Sequence, residues 1–196
     1  MPHVVRPLLD DCSPWPDNTG ALRIAVVAGG GGHDDAPGFL TAALHGVREY
    51  ARRHGCAAVD VLVLTGPHFD GAVLVPPGIP GPVRVRPYLG PAYDVYRHAD
   101  AAITHAGYNT VQELVRSRVP AVAVPGVRDL DDQRVHLRAA ACPTVVVAEA
   151  EKHAVARTLA EVLKGSTGAS ARAVAAPARE VNGAERIALD LVAATS

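Results

Sequence analysis

From Arg23 onward the chain alternates short, nearly unbroken apolar runs with longer stretches in which apolar positions recur every three to four residues. The runs Ile24–Ala28, Val59–Leu64, Ala101–Thr104, Ala121–Val124 and Thr144–Val147 have the length of strands. Their lack of polar alternation is what burial on both faces requires. The stretches between them, roughly Gly38–His54, Pro91–His98, Thr110–Ser117, Asp132–Ala140 and Lys152–Leu163, predict helices, and a further amphipathic segment lies near Ala171–Ala193. Strands and helices taken in turn predict an α/β fold, a Rossmann-like parallel sheet with helices on both faces. Four prolines, Pro76, Pro77, Pro80 and Pro82, interrupt the alternation, so 67–82 reads as a surface loop, and 164–170 reads as a Gly/Ser connector. Residues 1–22 carry Pro2, Pro7, Pro14 and Pro16 and sustain neither a long helix nor a central strand. They read as an extended lead-in or interdomain linker ahead of one domain at 23–196.

A length of 196 residues bounds the chain to one domain, or two at most. Nineteen basic against 20 acidic side chains leave a net charge of -1, so any anionic ligand must be held locally and a basic nucleic-acid groove is disfavoured. No apolar run approaches the roughly 20 residues needed to cross a bilayer, and Met1–Asp11 lacks the basic and apolar regions of a signal peptide. A cytoplasmic protein is expected. Cys12, Cys56 and Cys142 are odd in number and far apart, with no ligand-like spacing, which argues against a disulfide framework and against zinc. Seventeen of the 19 basic residues are Arg, a composition that suggests a GC-rich bacterial genome.

In a parallel sheet ligands collect beyond the carboxyl ends of the strands, so the strand-to-helix loops are where chemistry belongs. After the first run come Gly29, Gly30, Gly31, Gly32 and His33. Glycines there permit a tight turn and a close approach to a ligand, and N–H groups at a helix start favour an anion such as phosphate. The same run also serves simply to join strand to helix, with His33 as a solvated loop residue. No Lys completes a GxxxxGK pattern, which excludes a P-loop nucleotidase, and the GxGxxG spacing is met only loosely.

The densest constellation runs from Ile103 to Gln133. Thr104-His105-Ala106-Gly107-Tyr108-Asn109-Thr110 leads off a strand into a helix, so an imidazole, two polar side chains and helix N–H groups converge. A diphosphate is held by such a turn without any Lys. Glu113, one turn beyond Asn109 on the same face, is placed to accept hydrogen bonds from a ribose diol. Asp132 and Gln133, beyond the next strand, suit sugar hydroxyls. Each residue also has a plainer reading. Thr110 and Glu113 form a capping box, His105 is a strand-end histidine, and Asp132 with Gln133 is the polar start of a helix. Their joint occurrence at consecutive strand ends favours a binding site.

His105-Ala106-Gly107-Tyr108-Asn109-Thr110 with Glu113, Pro120, Pro125 and Asp132-Gln133 resembles the donor-binding half of GT-B glycosyltransferases. The resemblance is to the lipid II-forming N-acetylglucosaminyltransferases and to nucleotide-sugar-dependent natural-product and plant enzymes. It covers nearly the whole chain from Arg23, because the glycine run matches the loop that opens this half. It implies that Gly29, Gly30, Gly31, Gly32, His105, Gly107, Asn109 and Thr110 hold the diphosphate and Glu113 the ribose. It further implies that Tyr88 and Leu89, after the third strand, hold the base, and that Asp132 and Gln133 hold the donor sugar. The substrate implied is a nucleotide sugar, most simply a UDP-sugar, with no metal or other cofactor. Two departures stand out: Tyr88 lies near the place where many members stack a Trp, and His105 replaces the Arg of the lipid II enzymes.

Enzymes of this type carry an N-terminal half that binds the acceptor and, in inverting members, supplies the base. Val4-Val5-Arg6-Pro7-Leu8 resembles the stretch that hands over between the halves. The expectation is therefore a subunit of a split enzyme, as in the two-protein dolichol-pathway transferase, or a donor domain of a longer chain. Its partner would be an acceptor-binding domain or subunit. No catalytic base is assigned, and His33 is the only resident candidate. The alternatives on the same scaffold are a nucleotide-sugar hydrolase, a 2-epimerase, or a non-catalytic nucleotide-sugar-binding subunit.

Overall fold

Apolar runs too short for helices can satisfy their backbone only by pairing with one another. The computed structural model describes residues 14–15, 20–87, 92–126 and 132–165. In it six strands pair: β1 (Leu22–Val27), β2 (Val59–Leu64), β3 (Val83–Arg86), β4 (Ala101–Thr104), β5 (Ala121–Ala123) and β6 (Val145–Val147). All pairings are parallel, in the order β3-β2-β1-β4-β5-β6. Between them run α1 (Ala36–His54), α2 (Ala92–Tyr96), α3 (Tyr108–Ser117), α4 (Gln133–Ala140) and α5 (Lys152–Gly165). This is the expected α/β sheet in Rossmann-like order. The amphipathic segment expected at 171–193 lies outside the described residues.

Alternate residues of the central strands serve different helices. Ile24, Val26, Val61, Val63, Ala101 and Ile103 pack with Phe39, Leu40, Leu44 and Val47 of α1 and with Val155 and Leu159 of α5. Ala25, Val27, Leu62, Leu64, Ala102 and Ala121 face the other way, against Val95 and Tyr96 of α2 and Leu114 of α3. Both faces are dry, which is why these strands show no polar alternation. The two helices on the first face approach closely at Gly46, where a Cβ would meet Val155 Cγ1 at 2.6 Å.

Most element ends shift slightly from expectation, as at β1, which runs Leu22–Val27 rather than Ile24–Ala28, and two differences have a plain physical reason. Helix α1 begins at Ala36 rather than Gly38, because Pro37 is harmless in a first turn whose N–H groups have no intrahelical partner. Strand β3 carries no apolar run. It is an edge strand, and Val83 and Val85 pack on the core while Arg84 and Arg86 alternate with them. The loop 67–82 holds no helix or strand, yet Phe69, Val73 and Ile79 rest on the core. Among the described residues no helix is long and apolar enough to cross a membrane.

Among the described residues of the lead-in, Trp15 reaches the interior. Trp15 is 2% exposed and packs with the α2 and α3 cluster. The Arg84 guanidinium lies 5.3 Å from its ring centre, donates to the Pro14 carbonyl at 3.1 Å, and pairs with buried Asp60 at 2.7 Å. Trp15 is therefore part of the core on the α2 and α3 side of the sheet. Trp15→Ala should lower stability by about 3 kcal/mol through the cavity it opens, with Trp15→Phe retaining most of that, as read from denaturant unfolding midpoints.

Candidate functional site

The loop after β1 is shaped by its neighbour after β2. Gly31 has φ of 76°, and a Cβ there would lie 2.1 Å from the Thr65 carbonyl oxygen, so only glycine fits. His68 N–H donates to the Gly30 carbonyl at 3.1 Å, tying the two loops together. Gly29 and Gly30 face open space. His33, Asp34 and Asp35 stand between the glycine run and Ala36, where α1 begins. Two carboxylates thus stand at the amino end of α1, so the charge that glycines plus a helix dipole would offer to an anion is offset there. His33 and Asp34 are exposed.

Strand β4 ends next to β1, and Thr104 Oγ1 donates across that seam to the Val27 carbonyl at 2.9 Å. The next residue, His105, is 5% exposed and fixed on three sides. Its Nδ1 lies 2.9 Å from the Val124 carbonyl, its ring stacks on Phe39 with centroids 4.1 Å apart, and its Nε2 is 3.9 Å from Asp35 Oδ1. A carbonyl only accepts, so Nδ1 carries the hydrogen. Nε2 is then the atom turned toward Asp35.

Gly107 is the N-cap of α3, with no side-chain cap and no acidic residue in the first turn. The capping-box reading of Thr110 and Glu113 therefore fails, because Thr110 is the third residue inside the helix. Asn109 is exposed, whereas Glu113 is buried together with Thr110, so Glu113 shares the Thr110 face and not the Asn109 face as the spacing suggested. Burial first, and the charge of Asp94 second, push the Glu113 carboxyl up to about 7. Burial also pushes the Tyr96 phenol up, and its hydroxyl donates to Thr104 Oγ1 at 3.3 Å.

Beyond β5, Asp132 caps α4, its Oδ1 accepting from the N–H groups of Arg134 at 3.0 Å and Val135 at 3.1 Å. Gln133 is buried, and its Oε1 accepts from the Ala106 N–H at 3.3 Å and the Gly126 N–H at 2.9 Å. The plainer reading of this pair is thus satisfied: one starts a helix, and the other ties the loops after β4 and β5 together. Tyr88 and Leu89 lie outside the described residues. Among the described residues no group of three or more His, Cys, Asp or Glu is placed to hold a metal ion. A groove of about 210 Å³ between α3, α4 and β6, lined by Val111, Leu137, Val145, Arg134 and Arg138, brings none of the expected site residues together.

The glycine loop, His105 and the start of α3 therefore meet at the carboxyl ends of adjacent strands. Residues 47–188 match the glycosyltransferase family 28 C-terminal domain. The chain belongs to that family. Over 124 residues it is 33% identical to a UDP-N-acetylglucosamine–N-acetylmuramyl-(pentapeptide) pyrophosphoryl-undecaprenol N-acetylglucosamine transferase of Frankia casuarinae, spanning 62% of this chain and 30% of that protein. Among solved structures, the glycosyltransferase SnogD of Streptomyces nogalater superposes with a TM-score of 0.58 at 22% identity, over all of this chain and 49% of its own. MurG of Acinetobacter baumannii gives 0.54 at 18% identity, over 91% and 54%. The fold is accordingly one half of a GT-B glycosyltransferase, and the chain spans about half or less of the proteins it matches.

Sequence reading missed Asp35, Phe39, Thr104 and Asp94. The first two are placed by α1 packing back over the end of β4, which no local pattern announces. Glu113 supplies a measurable consequence. Its carboxyl stays protonated in the folded chain up to about pH 7 but ionises near 4.5 when unfolded, so folding loses stability as pH rises through that window. Glu113→Gln should match the wild type near pH 4.5 and exceed it by about 3 kcal/mol at pH 8, as read from unfolding curves across pH.

Proposed function

We propose that this chain is the donor-binding half of an inverting glycosyltransferase that uses a nucleoside diphosphate sugar, the acceptor being held by a further domain or subunit. The observation that carries this reading is the entry to α3. Strand β4 delivers His105, and Gly107, Tyr108, Asn109 and Thr110 then present the first N–H groups of a helix with neither a side-chain cap nor an acidic residue in its first turn. Such an end attracts a diphosphate through its dipole and its donors. Asn109 and Thr110 add side-chain donors, Gly29–Gly32 approach from β1, and Glu113 accepts from the ribose hydroxyls. Tyr88 and Leu89 receive the base, and Asp132 and Gln133 meet the sugar. A uridine base is favoured by the name of the Frankia relative.

In the displacement an acceptor oxygen attacks the anomeric carbon, the bond from that carbon to the β-phosphate oxygen breaks, and negative charge collects on the diphosphate. Fixed N–H groups and His105 stabilise that charge as it grows, without a metal in this reading. The acceptor proton goes to a base that the acceptor-bearing half supplies in this reading, His33 on the exposed loop after β1 being the resident candidate.

UDP at a hundred times its Kd should stabilise the chain by about 2.7 kcal/mol, and no shift in Tm with any nucleoside diphosphate at millimolar concentration refutes the donor site. Glu113→Gln should weaken UDP binding at pH 8 by roughly 1 to 3 kcal/mol in calorimetry, because it removes a charged acceptor from the ribose. The chain alone should transfer no sugar from labelled nucleotide sugars to a panel of acceptors. Losing a base typically costs about 10²- to 10⁴-fold, and losing acceptor positioning costs more. Release of free sugar or an epimer by the chain alone would instead identify a hydrolase or an epimerase.

A further inference from the structure

Asp35 stands at the N-cap of α1 but does no capping. Its backbone is in the helical region, with φ of -83° and ψ of -8°, and its side chain accepts no cap hydrogen bond. An N-cap acceptor normally has extended backbone and bonds the N–H of the second or third helical residue. Here the second residue is Pro37, which has no N–H. The carboxylate points elsewhere: Oδ1 lies 3.9 Å from His105 Nε2, and both atoms are shielded from water although Asp35 as a side chain is 38% exposed. One turn further along α1, Phe39 stacks on the same imidazole.

We infer that Asp35 is a positioning residue that holds His105 in its cationic form, so that a fixed positive charge lies just beneath the place where the diphosphate binds. The geometry leaves little alternative for the proton. The Val124 carbonyl takes Nδ1–H, so a neutral ring would turn the Nε2 lone pair toward a carboxylate, which repels it. Adding a proton at Nε2 converts that repulsion into attraction across a water-shielded gap. The described N-terminal turn of α3 contains no Lys or Arg. His105 and His136 of α4, whose ring lies 5.5 Å from that of Tyr108, are the described side chains there able to carry positive charge, and Asp35, beside His105, sets how far up the pH scale His105 does so. Other titratable groups on the elements around it are exposed His33 and Asp34 on the glycine loop, Glu113 on α3, and, on α4, His136 against Tyr108 and Asp132, whose carboxylate is taken up by the amino end of the helix.

The part of this inference that concerns the diphosphate rests on the donor-site reading, but the Asp35–His105 coupling does not. The titration of His105 is followed in the unliganded chain by long-range proton–nitrogen NMR, in the wild type and in Asp35→Asn. Asn is an equally good N-cap residue, and Asp35→Ser provides a second variant that also favours helix starts. The expected result is a His105 midpoint lower by about half to one pH unit in both variants. An unchanged or raised midpoint overturns the coupling. Calorimetry with UDP then compares Kd of Asp35→Asn with Kd of the wild type at pH 6 and pH 8, a ratio in which the ionisation of Glu113 cancels. That ratio should rise several-fold between the two pH values. A flat ratio alongside a shifted midpoint overturns the role toward diphosphate, whereas a wild type that binds no UDP refutes the donor site and leaves the NMR result to decide the coupling.

Discussion

The pairing of β1 with β4 is the constraint on which the site depends. From β1 the chain passes over one face of the sheet through α1 to β2, and from β4 it passes over the other face through α3 to β5. The two loops leave adjacent strand ends in opposite directions, and a crevice opens between them. Thr104 bonds the Val27 carbonyl across this seam, and Tyr96 of α2 bonds Thr104 from below, so one buried hydroxyl couples both strand ends to the helix layer. Shifting β4 by one residue against β1 would turn Thr104 into the opposite face and carry His105 out of the crevice.

The electrostatics of the two loops are opposed. The glycine loop has the shape for close approach, but two carboxylates follow it, whereas the start of α3 carries open donors and no acid. An anion entering the crevice is therefore drawn to the α3 side, with the glycine loop acting as a wall that side chains do not obstruct. Asp35 belongs to the wrong side for an anion by charge alone. Its place against His105 gives that charge a use, since it supports a cation on the side where the anion sits.

Two of the central strands were readable to the residue, while β1 begins at Leu22 rather than Ile24 and ends at Val27. Val59–Leu64 and Ala101–Thr104 are buried on both faces, so composition and length determine their limits. Edge strand β3 was not, because its solvent face admits Arg84 and Arg86 and erases the apolar run. The segment holding His105, Gly107, Asn109 and Thr110 was readable as chemistry, yet the start of α3 was misplaced by two residues. That start is set by Gly107, whose extended backbone at φ of -59° and ψ of 153° ends the loop. Two residues decide the fate of a motif: with Thr110 inside the helix, the Thr-x-x-Glu pattern has no orphan N–H to cap, and Glu113 is left to face Asp94. The clamp on His105 was beyond sequence reading, because Asp35 and His105 are joined by tertiary packing alone.

Among the described residues, those assigned to the donor lie on one wall, at the carboxyl ends of the strands. Attraction between a diphosphate and the donors of α3 is a charge–dipole effect, and in open water such effects are strongly screened. The atoms already sheltered are those beneath the wall: His105 Nε2, Asp35 Oδ1 and the Glu113 carboxyl. Asn109 and Tyr108, which border the crevice, remain exposed. A second wall would exclude water from that outer layer and strengthen each donor contact without altering any residue of this one. On the proposed reading, the acceptor-bearing half thus does more than supply a hydroxyl, since by covering the crevice it sets the dielectric in which His105 and the α3 donors meet the leaving diphosphate.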